Sequence, residues 1–370
     1  MSNISLAETA QFRGRVSLPE SGKHMREVYM KNYFAAALFL AASIAAAPAV
    51  PAYIANGGKV SASESEDGAD PAEALPAEEV PEVSYEPYKV LDIASGEVLE
   101  VPVRDYVIGA VCAEMPASFS DEALKAQAVA AHTYAERQRL REKTSPTPEL
   151  CGADFSNDVS HYQGYFTRGQ AEKFFGDNFE ESYAKISSAV DDVLPCILTY
   201  GGEPIIPAFH SMSSGKTESA ENMWGTAVDY LVPVDSPSDL SAPKYLQQER
   251  FGSEELKTAL EAAFPGIKLE GEMSGWVDIA ETSPSGTVLS VRVGDRTVCG
   301  SDIRTALSLR SACFEVRCDG DEAVFTTRGF GHGVGMSQYG ADSMAEEGST
   351  WRDILAHYYP GSVIAGEPEE

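Results

Sequence analysis

The stretch Arg328-Gly329-Phe330-Gly331-His332-Gly333-Val334-Gly335-Met336-Ser337-Gln338-Tyr339-Gly340 constrains this chain more than any other. Glycine reaches positive φ at little steric cost and lets a second backbone or a ligand come close. It also loses more conformational freedom on folding than any other residue. Five glycines in so short a run are therefore destabilising unless the fold uses the space they leave. Two uses fit: the wall of a binding cleft, or a tightly packed turn whose His332 hydrogen-bonds within the fold. Polar side chains (His332, Ser337, Gln338, Tyr339) recur between the glycines, which favours the cleft.

The 370 residues suffice for one large or two ordinary domains. A net charge of −29 argues against a nucleic-acid binder, which needs a basic footprint for the phosphates. Tyr33 to Ile54 carries no charged residue and is mostly Ala, Leu, Phe, Ile and Val. That length suits a membrane-spanning helix, which needs roughly 20 apolar residues. Arg13, Arg15, Lys23, Arg26 and Lys31 precede it, so the N-terminal side is expected in the cytoplasm and the rest outside. A cleaved signal peptide is the rival, because Ala45-Ala46-Ala47 and Ala49-Val50-Pro51-Ala52 resemble cleavage sites. The basic lead of about 30 residues is much longer than a compact n-region, which favours an uncleaved anchor.

The expected organisation is a cytoplasmic segment 1–32, a single transmembrane helix 33–54, an acidic disordered linker 55–87 and an extracytoplasmic body 88–370 at the cell membrane. Between Lys59 and Pro87 the linker alternates Glu and Asp with Ala, Ser and Pro, a composition that cannot bury enough surface to fold. Six cysteines (Cys112, Cys151, Cys196, Cys299, Cys313, Cys318) in an exported body permit disulfides, and buried thiols are the alternative. Cys313 and Cys318 are the nearest pair in sequence.

Within the body, Lys89 to Ile93 and Glu97 to Val101 read as two strands around Ala94-Ser95-Gly96. A short helix through Tyr106, Val107, Ala110 and Val111 runs towards Glu114-Met115-Pro116. The strongest helix then starts at Ser120, the expected N-cap, with Phe119 and Leu124 as a hydrophobic staple, and continues to about Arg141. Val193 to Tyr200 and Pro204 to Phe209 read as a hairpin over Gly201-Gly202-Glu203, its prolines suggesting an exposed edge. Trp276 to Ala280 and Thr287 to Val293 read as strands joined through Pro284-Ser285-Gly286. Ser301 is the expected cap of a helix to Leu309, and a last helix, Thr350 to Tyr358, stops at Pro360-Gly361. The fold class expected is α+β: a strand-rich body with packed helices and a cleft that bears Glu114 and the glycine-rich loop.

Glu114, at a helix end beside apolar neighbours, would stay protonated near neutral pH if buried, and could then donate a proton to a leaving oxygen. A solvated glutamate is the plainer reading of those residues alone. Ser213-Ser214-Gly215-Lys216-Thr217-Glu218 offers hydroxyls and a cation suited to a sugar or a developing negative charge; an ordinary turn is the alternative. Ser213-x-x-Lys216 also matches a penicillin-binding nucleophile pattern, but no Lys-Thr-Gly partner accompanies it. His132, His161, His210 and His357 are scattered, with no His-Glu-x-x-His and no Cys-x-x-Cys, so no metal is assigned.

Several long motifs in order resemble the sporulation stage II protein D family, whose domain is shared with a cell-wall amidase enhancer. They are Tyr106 to Gly109, Ala113 to Pro116, Glu122 to Ala131, Ser213 to Glu218 with Trp224-Gly225, Gly331 to Gly340 and His357 to Gly361. The similarity spans roughly 88–363. It implies a lytic transglycosylase that cuts between N-acetylmuramic acid and N-acetylglucosamine in peptidoglycan during sporulation, without water, leaving a 1,6-anhydro end. One carboxyl then suffices, where ordinary glycoside hydrolases use two.

The resemblance implies catalytic roles for Glu114, Lys216 and His132. It implies substrate binding by Gln127, Ser213, Ser214, Glu218, His332, Gln338 and Tyr339, with no cofactor. Implied partners are peptide-stripped glycan strands, a cell-wall amidase and other membrane-anchored sporulation proteins. Where the family commonly has Arg, this chain has His132, which is largely neutral near pH 7 and shifts the electrostatic role to Lys216 or lowers activity. Some members bind zinc in the segment matching Gly152 to Tyr165. Here Ser156 and His161-Tyr162 lack both thiolates, Cys151 is out of register, and no zinc is expected. The competing function is a catalytically weak glycan-binding module that enhances an amidase; a structural scaffold is compatible with either.

Overall fold

The computed structural model describes residues 85–366; the expected anchor at 33–54 and nearly all of the acidic linker lie outside them. No helix among the described residues is long and apolar enough to cross a membrane. β1 (Tyr88–Leu91) and β2 (Val98–Val101) pair antiparallel as expected. α1 (Val103–Glu114) ends at Met115, which is extended because the ring of Pro116 disfavours helical geometry in the residue before it. α2 (Asp121–Thr144) buries Ala126, Val129 and Ala130, and such small side chains let neighbouring helices approach closely. Ser120 stands at its N-cap position, but its hydroxyl makes no cap bond; instead its amide donates to Asp342 Oδ1 at 2.7 Å.

β3 (Phe155–Ser156) adds parallel to β1. α3 (Arg168–Phe175), opened by a Thr167–Gln170 capping box, and α4 (Phe179–Val193) follow. β4 (Ile197–Tyr200) and β5 (Glu203–Pro204) make the expected hairpin over Gly201-Gly202. Residue Val193 belongs to α4, not to the strand. Pro204 does occupy an edge strand, but it is buried, contrary to the expected exposure. β6 (Phe209–His210) and α5 (Ala220–Trp224) complete this part.

A second apolar core begins after residue 245. It contains β7 (Leu246–Gly252), α6 (Ser253–Ala263), β8 (Val277–Thr282), β9 (Val288–Val293), β10 (Arg296–Val298), α7 (Gly300–Ala306), β11 (Phe314–Asp319) and β12 (Glu322–Arg328). Two three-stranded antiparallel sheets, ordered β11-β12-β7 and β10-β9-β8, enclose Leu260, Trp276, Val291, Phe314 and Phe325. The cap of α7 is Cys299, not Ser301: the Cys299 amide donates to Asp302 Oδ2 at 3.2 Å.

The chain then returns to the first core through β13 (Met336–Ser337), parallel to β6, α8 (Gln338–Glu346), α9 (Trp351–Tyr358) and β14 (Val363–Ala365). That core is therefore built from both ends of the described chain, with the strand-bearing stretch placed between them. The architecture is mixed α and β, with packed helices and several small sheets. Strands dominate the second core, whereas α1, α2 and α4 fill much of the first.

All six cysteines are free. Cys313 and Cys318 cannot pair because Cys313 immediately precedes the extended strand β11 and Cys318 lies near its far end. Five residues of strand span about 16 Å, whereas a disulfide needs Cα atoms within about 7 Å.

Candidate functional site

Glu114 is the last residue of α1, and Gly164, in the loop before Phe166, lies against its carboxyl. A Cβ on Gly164 would lie 3.7 Å from Glu114 Oε1. The loop is held in place by the Phe166 amide donating to the Gly109 carbonyl at 3.0 Å, and by Gln163 bonding Tyr134 and Tyr106. Gly109 is required there, since a Cβ would sit 2.2 Å from the Phe166 carbonyl oxygen. The residue as a whole is half-buried, yet Glu114 Oε2 is fully buried and has no hydrogen-bond partner. Burial pushes the carboxyl up to about 8, and the Gly164 amide offsets only part of that rise. Glu114 is thus a neutral acid at physiological pH.

Gln338, the first residue of α8, donates from Nε2 to the Glu114 carbonyl at 2.9 Å and to Gln127 Oε1 at 3.3 Å. Gln127 is fully buried, and its own Nε2 has no partner. The Tyr339 ring meets Phe119 edge-on at 5.1 Å. Glu114, Gln127, Gln338 and Tyr339 therefore form one group, drawn from three helices.

A second group lies along the loop after β6. Met212, Ser213, Ser214, Lys216, Glu218 and His332 line a crevice of about 20 Å³. That is room for roughly one water, so it admits a single functional group rather than a sugar ring. The Glu218 carboxylate accepts from the Ser219 amide, Asn222 Nδ2 and Ser283 Oγ. Ser214 Oγ donates to the Ser285 carbonyl, so both residues fasten this loop to the strand-bearing core. Lys216 Nζ lies 3.3 Å from Asp235 Oδ1, with the lysine side chain 42% exposed; such exposed pairs contribute little. His332 accepts the Val334 amide at Nδ1, and burial, reinforced by His210 and Arg304, holds its imidazole neutral. Glu114 does not line this crevice.

Asp239 joins the two groups, and nothing in the sequence singled it out. Its Oδ2 accepts the Ser213 amide at 2.7 Å and the Ser213 hydroxyl. Its Oδ1 accepts Ser337 Oγ at 2.7 Å, and Ser337 in turn caps α8 through the Gly340 amide. Replacing Asp239 by Asn leaves these buried donors one acceptor short. Asp239→Asn is expected to lower unfolding free energy by about 1–3 kcal/mol in a urea titration.

His132 stands apart from both groups. It is buried in α2, with Nδ1 3.1 Å from the Cys196 carbonyl and Nε2 3.8 Å from Glu136 Oε1. Glu136 receives the Tyr88 hydroxyl and faces Arg139, so the setting is a buried polar network. Burial pushes His132 down to about 4, which leaves it neutral. In the segment 152–165, His161 pairs with Asp158 at the surface. No cluster of three His, Cys, Asp or Glu able to hold a metal occurs among the described residues.

The family model described as stage II sporulation protein matches residues 94–200. The chain is 41% identical over 272 residues to stage II sporulation protein D of Bacillus subtilis (strain 168), covering 74% of this chain and 77% of that protein. It is 40% identical over 268 residues to the protein of the same name from Bacillus amyloliquefaciens, covering 72% and 75% respectively. Against the amidase enhancer of Bacillus subtilis (strain 168) the identity is 26% over 304 residues, covering 69% of this chain and 40% of the enhancer.

Proposed function

The chain belongs to the stage II sporulation protein D family, and from that premise we propose that its body is a peptidoglycan lytic transglycosylase acting in sporulation at the outer face of the cell membrane. The observation that carries the proposal is Glu114: a buried carboxyl, protonated near neutral pH, with an oxygen no protein group satisfies. In the reaction, the Glu114 carboxylic acid gives its proton to the glycosidic oxygen as the bond from C1 of N-acetylmuramic acid breaks. The 6-hydroxyl oxygen of the same sugar then bonds to C1, and Glu114, now a carboxylate, takes the hydroxyl proton. The acid is regenerated and no water is consumed. Gln338, itself bonded to Gln127, holds the Glu114 carbonyl at the end of α1 and so helps to position the carboxyl.

Lys216, Ser213, Ser214, Glu218 and His332 belong to the substrate-holding wall in this reading, with Tyr339 beside Phe119. His132, neutral and enclosed, acts through the packing of α2. The implied partners are peptide-stripped glycan and an amidase that produces it. The test is incubation of the protein with peptide-free glycan strands and mass spectrometry of the products; anhydro-ended fragments support it. The second reading, a glycan-gripping enhancer of an amidase, draws on the enhancer's similarity and on the narrowness of the crevice. Glycan binding without anhydro products would favour it.

The acid's raised proton affinity fixes two pH dependences. Turnover is expected to fall about tenfold per unit above pH 8, as Glu114 ionises. For stability, the folded value of about 8 exceeds the ordinary carboxyl value of 4.5, so the folded state binds more protons between them. The stabilisation is complete below the lower value and is lost as pH rises through the upper one. Glu114→Gln removes that loss. Its unfolding free energy relative to wild type should grow by about 2–4 kcal/mol between pH 5 and pH 8. Equal curves for the two proteins would mean that the carboxyl is solvated.

A further inference from the structure

Gln163 stands in a segment without regular secondary structure, yet it is only 9% exposed. It bonds two different helices. Its Oε1 accepts the Tyr106 hydroxyl at 3.3 Å, and its backbone N–H donates to the Tyr134 hydroxyl oxygen at 3.1 Å. Tyr106 lies on α1, about two turns before Glu114, and Tyr134 lies on α2. The Tyr106 ring is packed by Tyr88, Phe155 and Tyr165, with centroids 5.2, 5.0 and 5.1 Å away respectively. Gln163 Nε2, by contrast, is buried with no hydrogen-bond partner. A buried amide with one arm unsatisfied is costly as packing. An apolar side chain of similar size would avoid that cost, but it could not accept from Tyr106.

The residue this clamp holds in place is Gly164. A Cβ there would meet Glu114 Oε1 at 3.7 Å and Val159 Cγ1 at 3.4 Å, and the Gly164 amide bonds the carboxyl. Gly164 is not among the glycines with positive φ, so neither strain nor lack of room demands glycine at this position. Among the described residues no charged side chain shifts the Glu114 carboxyl; Gln127 and Gln338, from α2 and α8, are neutral amides. Tyr106 is the titratable group within electrostatic reach of Glu114, and burial keeps its phenol protonated. The proton affinity of the acid therefore depends on how dry its contact with Gly164 is.

We infer that Gln163 is a positioning residue for the acid: fixed between Tyr106 and Tyr134, it holds the Gly164 backbone against Glu114 and keeps water from the carboxyl. The consequence for turnover rests on the transglycosylase reading, whereas the protonation of Glu114 is measured without any substrate. If the clamp loosens, water reaches the carboxylate and stabilises the charged form, so the midpoint falls from about 8 toward the ordinary 4.5. Loosening also weakens the Gly164 amide bond, which acts in the opposite sense, but burial is the larger cause. A methyl at position 164 has the reverse effect. It fits at ordinary contact distances, displaces water beside Oε1, and should raise the midpoint.

The test uses the full chain in detergent, without glycan, and follows the labelled Glu114 carboxyl by NMR across pH. The signal is assigned by its absence in Glu114→Gln. Gln163→Leu nearly keeps the volume and loses the acceptor for Tyr106; Tyr134→Phe removes the acceptor for the Gln163 amide. Each should lower the midpoint by about one pH unit or more, and Gly164→Ala should raise it. Tyr106→Phe, which takes away one hydroxyl and leaves Gln163 in place, should act in the same direction as Gln163→Leu. Circular dichroism at each pH checks that the titrated state is folded. Turnover on peptide-free glycan gives the parallel readout. At pH 8 each clamp variant, relative to its own acid plateau, should run about fivefold below wild type.

A role in stability alone would lower the melting temperature and leave the midpoints where they are. Unmoved midpoints in the clamp variants would therefore overturn the inference. So would a wild-type midpoint near 4.5, since nothing would then be kept dry. Midpoints that move in the expected directions support the clamp even where no anhydro product forms, in which case the transglycosylase reading fails alone.

Discussion

Glu114→Gln should cut the release of anhydro-ended products from peptide-free glycan by about 10²–10⁴-fold, the usual contribution of a positioned general acid. The loss should fall on turnover, because the same carboxyl donates in the first half of the reaction and accepts in the second. Binding of glycan should survive, since Gln keeps the shape of the side chain and the Glu114 carbonyl still receives Gln338. Glu114→Asp provides the internal comparison. It retains an acid but withdraws it by one methylene, and a displacement of about 1 Å at a reacting group costs on the order of 10²-fold. Mass spectrometry of timed digests separates the three proteins. Equal product from wild type and Glu114→Gln would remove this residue from the chemistry, and with it the transglycosylase reading.

The second large effect concerns folding. Gly335 has φ +72°, and a Cβ there would sit 2.0 Å from the Ala208 carbonyl oxygen and 3.2 Å from the Tyr359 ring. Left-handed geometry costs a non-glycine residue about 1–2 kcal/mol, and forcing extra volume into a packed site adds about 1–3 kcal/mol. Gly335→Ala should therefore lose roughly 2–5 kcal/mol in a denaturant titration. Gly96, in the β1–β2 turn, has nearly the same φ of +75° but open space around its missing Cβ. Gly96→Ala should lose about 1 kcal/mol, the conformational part alone. Similar losses at the two positions would show that the tight approach of the glycine-rich run to Ala208 is not what selects glycine.

The contrast between local and distant information runs through the molecule. α1 and α2 were readable because their limits are set within a few residues, by Pro116 and by the acidic first turn after Ser120. The cap bonds themselves were not readable. Ser120 gives its amide to Asp342 more than 200 positions away, and Cys299 displaces Ser301 because Asp302 reaches back to it. The glycine-rich run was expected as a cleft wall. Gly331 to Gly333 do line the crevice, yet most of the run is buried against residues 208–218. Both uses of the glycines coexist. Glu114, Gln127, Gln338 and Tyr339 came together as one group, whereas His132 went to a core network that depends on Tyr88 and Glu136. Asp239 escaped notice because its partners, Ser213 and Ser337, lie 26 and 98 residues away and no local pattern marks them.

Glu114 and the glutamine that steadies it are separated by 224 positions, with a whole second core threaded between them. A chain folding from its N-terminal end therefore leaves the helix end that carries Glu114 without Gln338 until the final segment arrives and docks. Cutting power would ripen last, after every other part of the body has settled. Under the proposed function, that order would keep half-made copies of a wall-cutting tool blunt.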